Sequence, residues 1–455
     1  MMDSVRLFFR NFIKYFLYIA VFAQIVSGTV YLVCNFSDYI MGPETEEMLD
    51  VAGTLIFDEY VGVLYPLFLK LCVFVQKISG IGYYYLVYLV QMAVFGLALW
   101  YVTKMLFSGK KVWLAGAFVL MNPMCIHTIL MVSPYAFKTA FGLWILGAML
   151  RLWKDGWKGK HWCVLLFAYF MAALNVPDDL YVWLVPVVIF TISVVLKKQD
   201  TVKVYGKICI LLAIVLVFFT AFGIGKGVSE PGARGRMQKT VSSVLFQRTL
   251  WPELRTKYGF LPMDMIVSIP HEVAMASDGS PEQIQYIIGP LVEEAYGLKR
   301  ADELFKEAVL NQFSYNKTAM FKAVLSDFAG YAMTPYSTMG YITGQEGAAF
   351  GKLYSLMSVS MPRFVYGYYC VSFVALFLLT FAAVLKQVKE KAFVKKEKIR
   401  QTTFFAGIIL YQAMWYAIVN VQGVDYRYVL LNVVLFSYFA LGGILKTDCK
   451  ERNAQ

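Results

Sequence analysis

Apolar runs of about 20 residues, most of them closed by Lys or Arg, recur from one end of this chain to the other. A run of that length spans the hydrocarbon of a bilayer when coiled as a helix, because each backbone polar group is then satisfied inside the segment. Ten spans are predicted, at roughly 11–34, 82–106, 112–131, 134–152, 161–176, 179–196, 206–226, 366–386, 402–421 and 428–446. Composition points the same way. Of the 455 residues 59% are hydrophobic, against about 45–50% apolar in soluble domains, and mean hydropathy is +0.58. The expected fold class is therefore all-α, a polytopic helical membrane protein. The segment 61–78 is apolar but short and carries Lys70 and Lys77, so it is expected to lie in the interface or re-enter it. The first run is too long for a signal-peptide core and has no small-residue cleavage site behind it, which predicts a retained first helix.

The loops sort by charge. One set, from Arg6, Arg10 and Lys14 through the 386–400 run to Lys446, Lys450 and Arg452, holds about 24 basic against about 7 acidic residues. By the positive-inside rule this is the cytoplasmic face, and both termini fall on it. The 386–400 run reads as a cytoplasmic loop touching anionic headgroups. The opposite face carries an acidic loop after the first run, the turn Pro177-Asp178-Asp179, a long loop at 227–365, and Asp425 to Arg427. The net charge of +12 is thus a topology signal, and no nucleic-acid partner is expected. Three regions follow: 1–226, membrane helices with an acidic outer loop at 35–80; 227–365, an extracytoplasmic and mainly helical domain; and 366–455, C-terminal membrane helices. The middle region, with 13 basic and 13 acidic residues, is too long to be a mere connector. Ser280-Pro281-Glu282 reads as a capped helix start, and apolar residues recur at helical spacing through Gly297 to Phe313 and Phe321 to Phe328.

Six of the seven cysteines lie in or beside apolar runs, without a CxxC pattern or a disulfide framework, and read as small packing residues. His127 and His161 stand singly and read as structural. Asn35-Phe36-Ser37 and Asn316-Lys317-Thr318 fit the N-glycosylation pattern, which has meaning only in a eukaryotic secretory setting.

The chemistry is expected in the acidic loop, where Asp38, Glu44, Glu46, Glu47, Asp50, Asp58 and Glu59 bring seven carboxylates into 22 positions. Moving a sugar onto a hydroxyl needs a base that takes the acceptor proton as attack occurs. Asp38 and the pair Asp58-Glu59 are the candidates, while Glu44, Glu46 and Glu47 read as a solvated helix face. Arg427, beside Tyr428 at the mouth of the last span, suits a lipid phosphate, since its fork donates two hydrogen bonds; pairing with Asp425 or snorkelling explains it too. Lys138, a few residues inside a span, is a second phosphate candidate, with snorkelling as its alternative. Asp178-Asp179 can bind sugar hydroxyls or a divalent cation, or can simply make a turn with an Asp N-cap. No cofactor is demanded by these residues. In the long loop, Trp251 to Arg255, Asp264, His271-Glu272, Asp327 and Tyr331 to Tyr336 read either as a saccharide surface or as the core and rim of a small helical domain.

These motifs carry a resemblance. A first helix followed by an acidic loop with Asp58-Glu59 and then Tyr65-Pro66 resembles the GT-C superfamily of polytopic glycosyltransferases. So do Asn122-Pro123, Ser133-Pro134 with an aromatic behind it, and Asp425-Tyr426-Arg427-Tyr428. The resemblance implies a polyprenyl-phosphate-linked sugar donor, of the dolichyl-phosphate-mannose type or its relatives, a glycan or lipid-linked acceptor, and an acid of the first outer loop as base. Nearness to the first helix favours Asp38 and the acidic pair favours Asp58, which is the choice taken. Inversion at the anomeric carbon would follow. Against this stand a polysaccharide flippase or other transporter, which asks for charges deep in the spans; a glycan polymerase, whose large loop is usually rich in Arg; and a non-enzymatic scaffold. The absence of loop cysteines and retention signals favours a bacterial plasma membrane.

Overall fold

The computed structural model describes residues 36–37, 39–42, 44–156, 158–195, 204–230, 235–247, 261–276, 283–315, 317–333, 396–419, 426–438 and 441, with scattered positions between 22 and 33. Among them the chain is almost entirely helical. A short strand β1 (Ile40–Met41) precedes α1 (Thr45–Thr54), α2 (Leu64–Ser79), α3 (Tyr83–Leu106), α4 (Lys110–Leu120) and α5 (Pro123–Ile129). Strand β2 (Met131–Val132) leads into α6 (Tyr135–Asp155), α7 (Gly159–Asn175), α8 (Asp179–Val195) and α9 (Val204–Val228). Next come α10 (Val241–Gln247), α11 (Met263–Ser268), α12 (His271–Ala276), α13 (Gly289–Tyr296), α14 (Leu298–Tyr315) and α15 (Lys317–Met333). The last described elements are α16 (Lys396–Val419) and α17 (Arg427–Tyr438), which opens with a 3-10 turn.

The all-α class holds apart from one two-residue parallel pairing, Ile40 with Met131 and Met41 with Val132. By length and composition Tyr83–Leu106 and Ile208–Val228 can cross a membrane; Asp179–Val194, Ala406–Val419 and Arg427–Tyr438 are shorter apolar helices. The expected single span at 112–131 is broken. Pro123 has no N–H to continue the ladder, and the Asn122 side chain accepts from Met124 N at 3.0 Å, so a new helix starts there. The expected span at 366–386 lies outside the described residues, and the one at 11–34 mostly so.

The main core is built around α6, which is buried along nearly its whole length between α3, α7 and α8. Two glycines make that packing close: a side chain on Gly142 would meet the Trp183 ring and one on Gly147 would meet the Tyr101 ring. A second cluster, including Met237, Phe246, Ile284, Val292, Leu304 and Phe305, binds the helices of the 227–365 region to one another. In a third, Tyr331 of α15 packs with Val182, Tyr416 and Val429. The capped start expected at 280–282 lies outside the described residues; the chain there resumes at Gln283 and makes a π-turn, Ile284–Ile288, before α13.

Helix α2 is buried on one face through Tyr65, Leu69 and Cys72. On its other face Leu67, Leu71, Phe74 and Ile78, spaced at helical intervals, are exposed. Helix α9 likewise exposes Leu212, Leu216 and Phe219.

Candidate active site

The acidic loop is fastened before it presents any carboxylate. Ile40 N donates to the Tyr88 hydroxyl at 3.0 Å, and the Thr45 hydroxyl donates to the Val132 carbonyl at 2.8 Å. These contacts, with the β1–β2 pairing, seat the start of α1 against the loop before α6. Glu44 and Glu47 then face inward while Glu46 and Asp50 are exposed. The helix face expected to be solvated is therefore split: two of its acids line a cavity of about 400 Å³.

That cavity lies where the ends of several helices meet. Its floor and sides come from Glu44, Glu47, Tyr60 to Gly62, Pro134, Tyr135, the turn Asn175 to Asp178, Tyr416, Arg427 and Tyr428. Its roof comes from Arg236, Lys239, Val244, Gln247, Gln285 and Tyr286.

Of the residues singled out from the sequence, Arg427, Tyr428 and Asp178 line the cavity. The Arg427 guanidinium lies 5.1 Å from the centre of the Tyr135 ring. Tyr428 meets the rings of Tyr135 and Tyr416 at 5.3 and 5.2 Å. Tyr135 also donates its hydroxyl hydrogen bond to Glu44 Oε1 at 2.7 Å. One tyrosine thus touches an acid through its hydroxyl and an arginine through its face.

The remaining candidates sit elsewhere. Asp58 is buried but does not line the cavity. Its Oδ1 accepts from Tyr60 N at 2.9 Å and from Val61 N at 3.1 Å, while Oδ2 faces Arg236 Nε at 3.5 Å. This is a turn-forming carboxylate with a guanidinium behind it, not one offered to a ligand. Glu59 pairs with Lys226 and accepts from Lys239 N at 2.8 Å. Tyr65 is fully buried, and its hydroxyl donates to Gln91 at 3.2 Å, inside the core. Lys138 is buried beneath the cavity floor: Nζ lies 3.1 Å from Asp179 Oδ1 and donates to the Tyr416 hydroxyl at 2.6 Å. It therefore meets the cavity through Tyr416 and through the Tyr428 ring, whose centre lies 5.2 Å from Nζ. Asp38, Asp425 and Trp251 to Arg255 lie outside the described residues.

The turn Asp178-Asp179 does not read as a cation site, because each carboxylate already holds an ammonium. Lys239 Nζ is 2.7 Å from Asp178 Oδ1, and Lys138 is on Asp179. Among the described residues no group of three or more His, Cys, Asp and Glu side chains is placed to hold a metal ion. Burial works against the Asp178 charge, but Lys239 outweighs it and keeps the carboxyl below its ordinary range. Arg236 pairs with Glu47 as well as Asp58; burial opposes its charge too, yet these two acids hold its pKa above the usual value. Burial drives the Tyr60 phenol upward, so it stays neutral.

Arg236, Lys239, Gln247 and Gln285 carry no motif in the sequence, and only the fold brings them to the site. Met237 N donates to the Gln285 carbonyl at 2.9 Å, Gln238 N to Glu293 at 2.7 Å, and the Tyr60 hydroxyl to the Met237 carbonyl at 3.1 Å. The segment 235–240 is thereby stitched both to the α13 region and to the acidic loop. The chain matches no protein-family model, no curated protein and no solved structure.

Proposed function

We propose that the chain is an integral membrane glycosyltransferase of GT-C type, transferring a sugar from a polyprenyl-phosphate donor to an extracytoplasmic glycan or lipid-linked acceptor. One observation carries the reading: Glu44 and Arg427 are held on the same residue, Tyr135, at the wall of one cavity. A base for a hydroxyl and a cation for a departing phosphate are the two groups such a transfer needs.

In this reading the base is Glu44. The cavity acids are Glu44, Glu47 and Asp178. Glu47 and Asp178 are each already paired with a cation, whereas Glu44 accepts a hydrogen bond from the Tyr135 hydroxyl. Glu44 takes the proton from the acceptor hydroxyl as that oxygen attacks the anomeric carbon. The bond from that carbon to the phosphate oxygen breaks, its electron pair leaves with the lipid phosphate, and Arg427 meets the charge. Configuration inverts. Asp58 acts by holding Arg236 and the Tyr60 turn.

The same proposal keeps the ten predicted spans, that at 112–131 as a helix broken at Asn122-Pro123, in a bacterial plasma membrane with both termini cytoplasmic. The exposed apolar stripes of α2 and α9 support lipid contact, α2 lying along the interface and α9 crossing.

The test is transfer from a panel of polyprenyl-phosphate hexoses and pentoses by purified protein in liposomes, followed by radiolabelled product. Glu44→Gln is expected to lower kcat by about 10²- to 10⁴-fold, and Arg427→Ala to raise the donor KM. Unchanged turnover in Glu44→Gln removes the base; no transfer from any donor, with vectorial sugar uptake instead, makes the chain a transporter.

A further inference from the structure

Helix α6 begins at the cavity with Tyr135 and carries Arg151 near its other end, about 24 Å further on at 1.5 Å per residue. There the guanidinium stacks over the Tyr101 ring of α3, 4.6 Å from its centre. The face of the group is engaged. Its buried Nε, however, has no hydrogen-bond partner among the described residues. Asp155 stands four residues on, where an ion-pair partner is usual on a helix, but its Oδ2 lies 3.5 Å from His161 Nε2 instead. Two more buried polar atoms of this cluster also lack a hydrogen-bond partner among the described residues: the Tyr101 hydroxyl and Nε2 of His161, a side chain only 4% exposed. All three groups can present a proton, from a guanidinium, a phenol and an imidazole. Donors gathered without an acceptor call for a ligand made of acceptors. The charge agrees. Arg151, Lys160 and Lys158 act on the His161 ring, against Asp155 alone, and Arg151 and Asp155 act on Tyr101 as well. Lys158 and Lys160 are exposed and flank the start of α7. A carboxylate has two oxygens to offer; a phosphate has more, and suits the edge of a guanidinium.

We infer that Arg151, Tyr101 and His161 form a phosphate-binding site where α3, α6 and α7 meet, with Lys158 and Lys160 at its rim. The ligand is a phosphate monoester, on a lipid headgroup or as free phosphate. None of these residues lines the cavity, so the site stands or falls apart from the transferase reading. In the topology expected from the loop charges it lies on the cytoplasmic side, where basic pockets between membrane helices meet anionic headgroups.

The experiment is lipid binding to the purified full chain in detergent, read by native mass spectrometry and calorimetry. The probes are phosphatidate, phosphatidylcholine with the same acyl chains, and inorganic phosphate as competitor. Phosphatidate is expected to bind saturably and at least about tenfold tighter than phosphatidylcholine, whose phosphate is capped by a cation. Arg151→Gln is expected to weaken it about tenfold, the worth of a hydrogen bond to a charged group. Tyr101→Phe removes one hydroxyl, leaves the ring under the guanidinium, and is expected to weaken binding about threefold to tenfold. Arg151→Lys keeps the charge, guards against a folding defect, and is expected to fall between wild type and Arg151→Gln. Lys110→Gln deletes an equal charge from another basic loop and is expected to change nothing. Displacement of phosphatidate by millimolar inorganic phosphate makes free phosphate a ligand of the same site; retention makes the site one for lipid. Unsaturable binding, equal affinity for phosphatidylcholine, wild-type affinity in both Tyr101→Phe and Arg151→Lys, or a loss in Lys110→Gln as large as in Arg151→Gln would overturn it.

Discussion

Lys239 Nζ and Asp178 Oδ1 meet at 2.7 Å, joining the segment after α9 to the turn between α7 and α8. Both side chains are about four-fifths buried, so the contact is shielded from salt more than a surface pair would be. Arg236, on Glu47 and Asp58, makes a second tie between the same segment and the acidic loop.

This clasp is pH-dependent in a defined direction. Lys239 holds the Asp178 carboxyl below its ordinary range despite burial. A carboxyl depressed in the folded state contributes stability that is fully present above its unfolded pKa, about 3.9, and is lost as pH falls through the lower folded value. Limited proteolysis around 230–240 is expected to stay slow at neutral pH and to rise below about pH 4. Asp178→Asn should be cut faster already at pH 7 and lose that pH dependence; a variant with the wild-type profile would assign the depression no structural role.

Lys138 and Asp179 form a buried pair beneath the floor, with side-chain exposures of 7% and 0%. Removing one partner strands the other charge. Lys138→Met or Asp179→Leu alone is expected to cost about 3–5 kcal/mol, and the double variant clearly less than either. Thermal unfolding in detergent measures it, and strictly additive losses would mean that the two groups do not interact.

Asp58 separates the turn-forming role from the catalytic one. Asp58→Asn keeps an oxygen for the Tyr60 and Val61 amides and loses only the charge facing Arg236, so about 1 kcal/mol of stability and a modest part of activity should go. Asp58→Ala loses both and is expected to cost about 2–3 kcal/mol. Complete loss of transfer in a well-folded Asp58→Asn protein would return the base to this residue.

Gly62 lines the cavity wall, and a Cβ there would fall on the carbonyl of Asn175. The obstacle is backbone, which cannot rotate away. Gly62→Ala is therefore expected to push the acidic loop off the α7–α8 turn, destabilising by about 1–3 kcal/mol and lowering transfer. Gly53→Ala meets nothing within 4 Å and serves as the control; equal behaviour of the two in unfolding and in transfer would contradict the close approach.

Much of the helix layout was legible. The spans expected at 82–106, 134–152 and 206–226 correspond to α3, α6 and α9, because a long apolar run with a terminal base encodes its own length. The break at Asn122-Pro123 was written there too, in a cap followed by a residue lacking an N–H, but hydropathy averaged over it. Arg427, Tyr428 and Asp178, which line the cavity, could be picked out beforehand since each stands at the end of an apolar run. Glu44 and Glu47 could not be told from Glu46 and Asp50, because an acidic first turn looks the same whichever way it is rotated. The β1–β2 pairing and the Thr45 hydrogen bond decide that rotation.

By itself, then, the amino-acid order determined which stretches coil and which loops share a charge, since both depend on neighbours along the chain. The tertiary structure alone decided which carboxylate opens onto the cavity, which lysine is spent on an internal pair, and that Tyr135 stands between Glu44 and Arg427. Those outcomes turn on ångström distances between residues far apart in the chain, and such distances are set by packing rather than by local pattern.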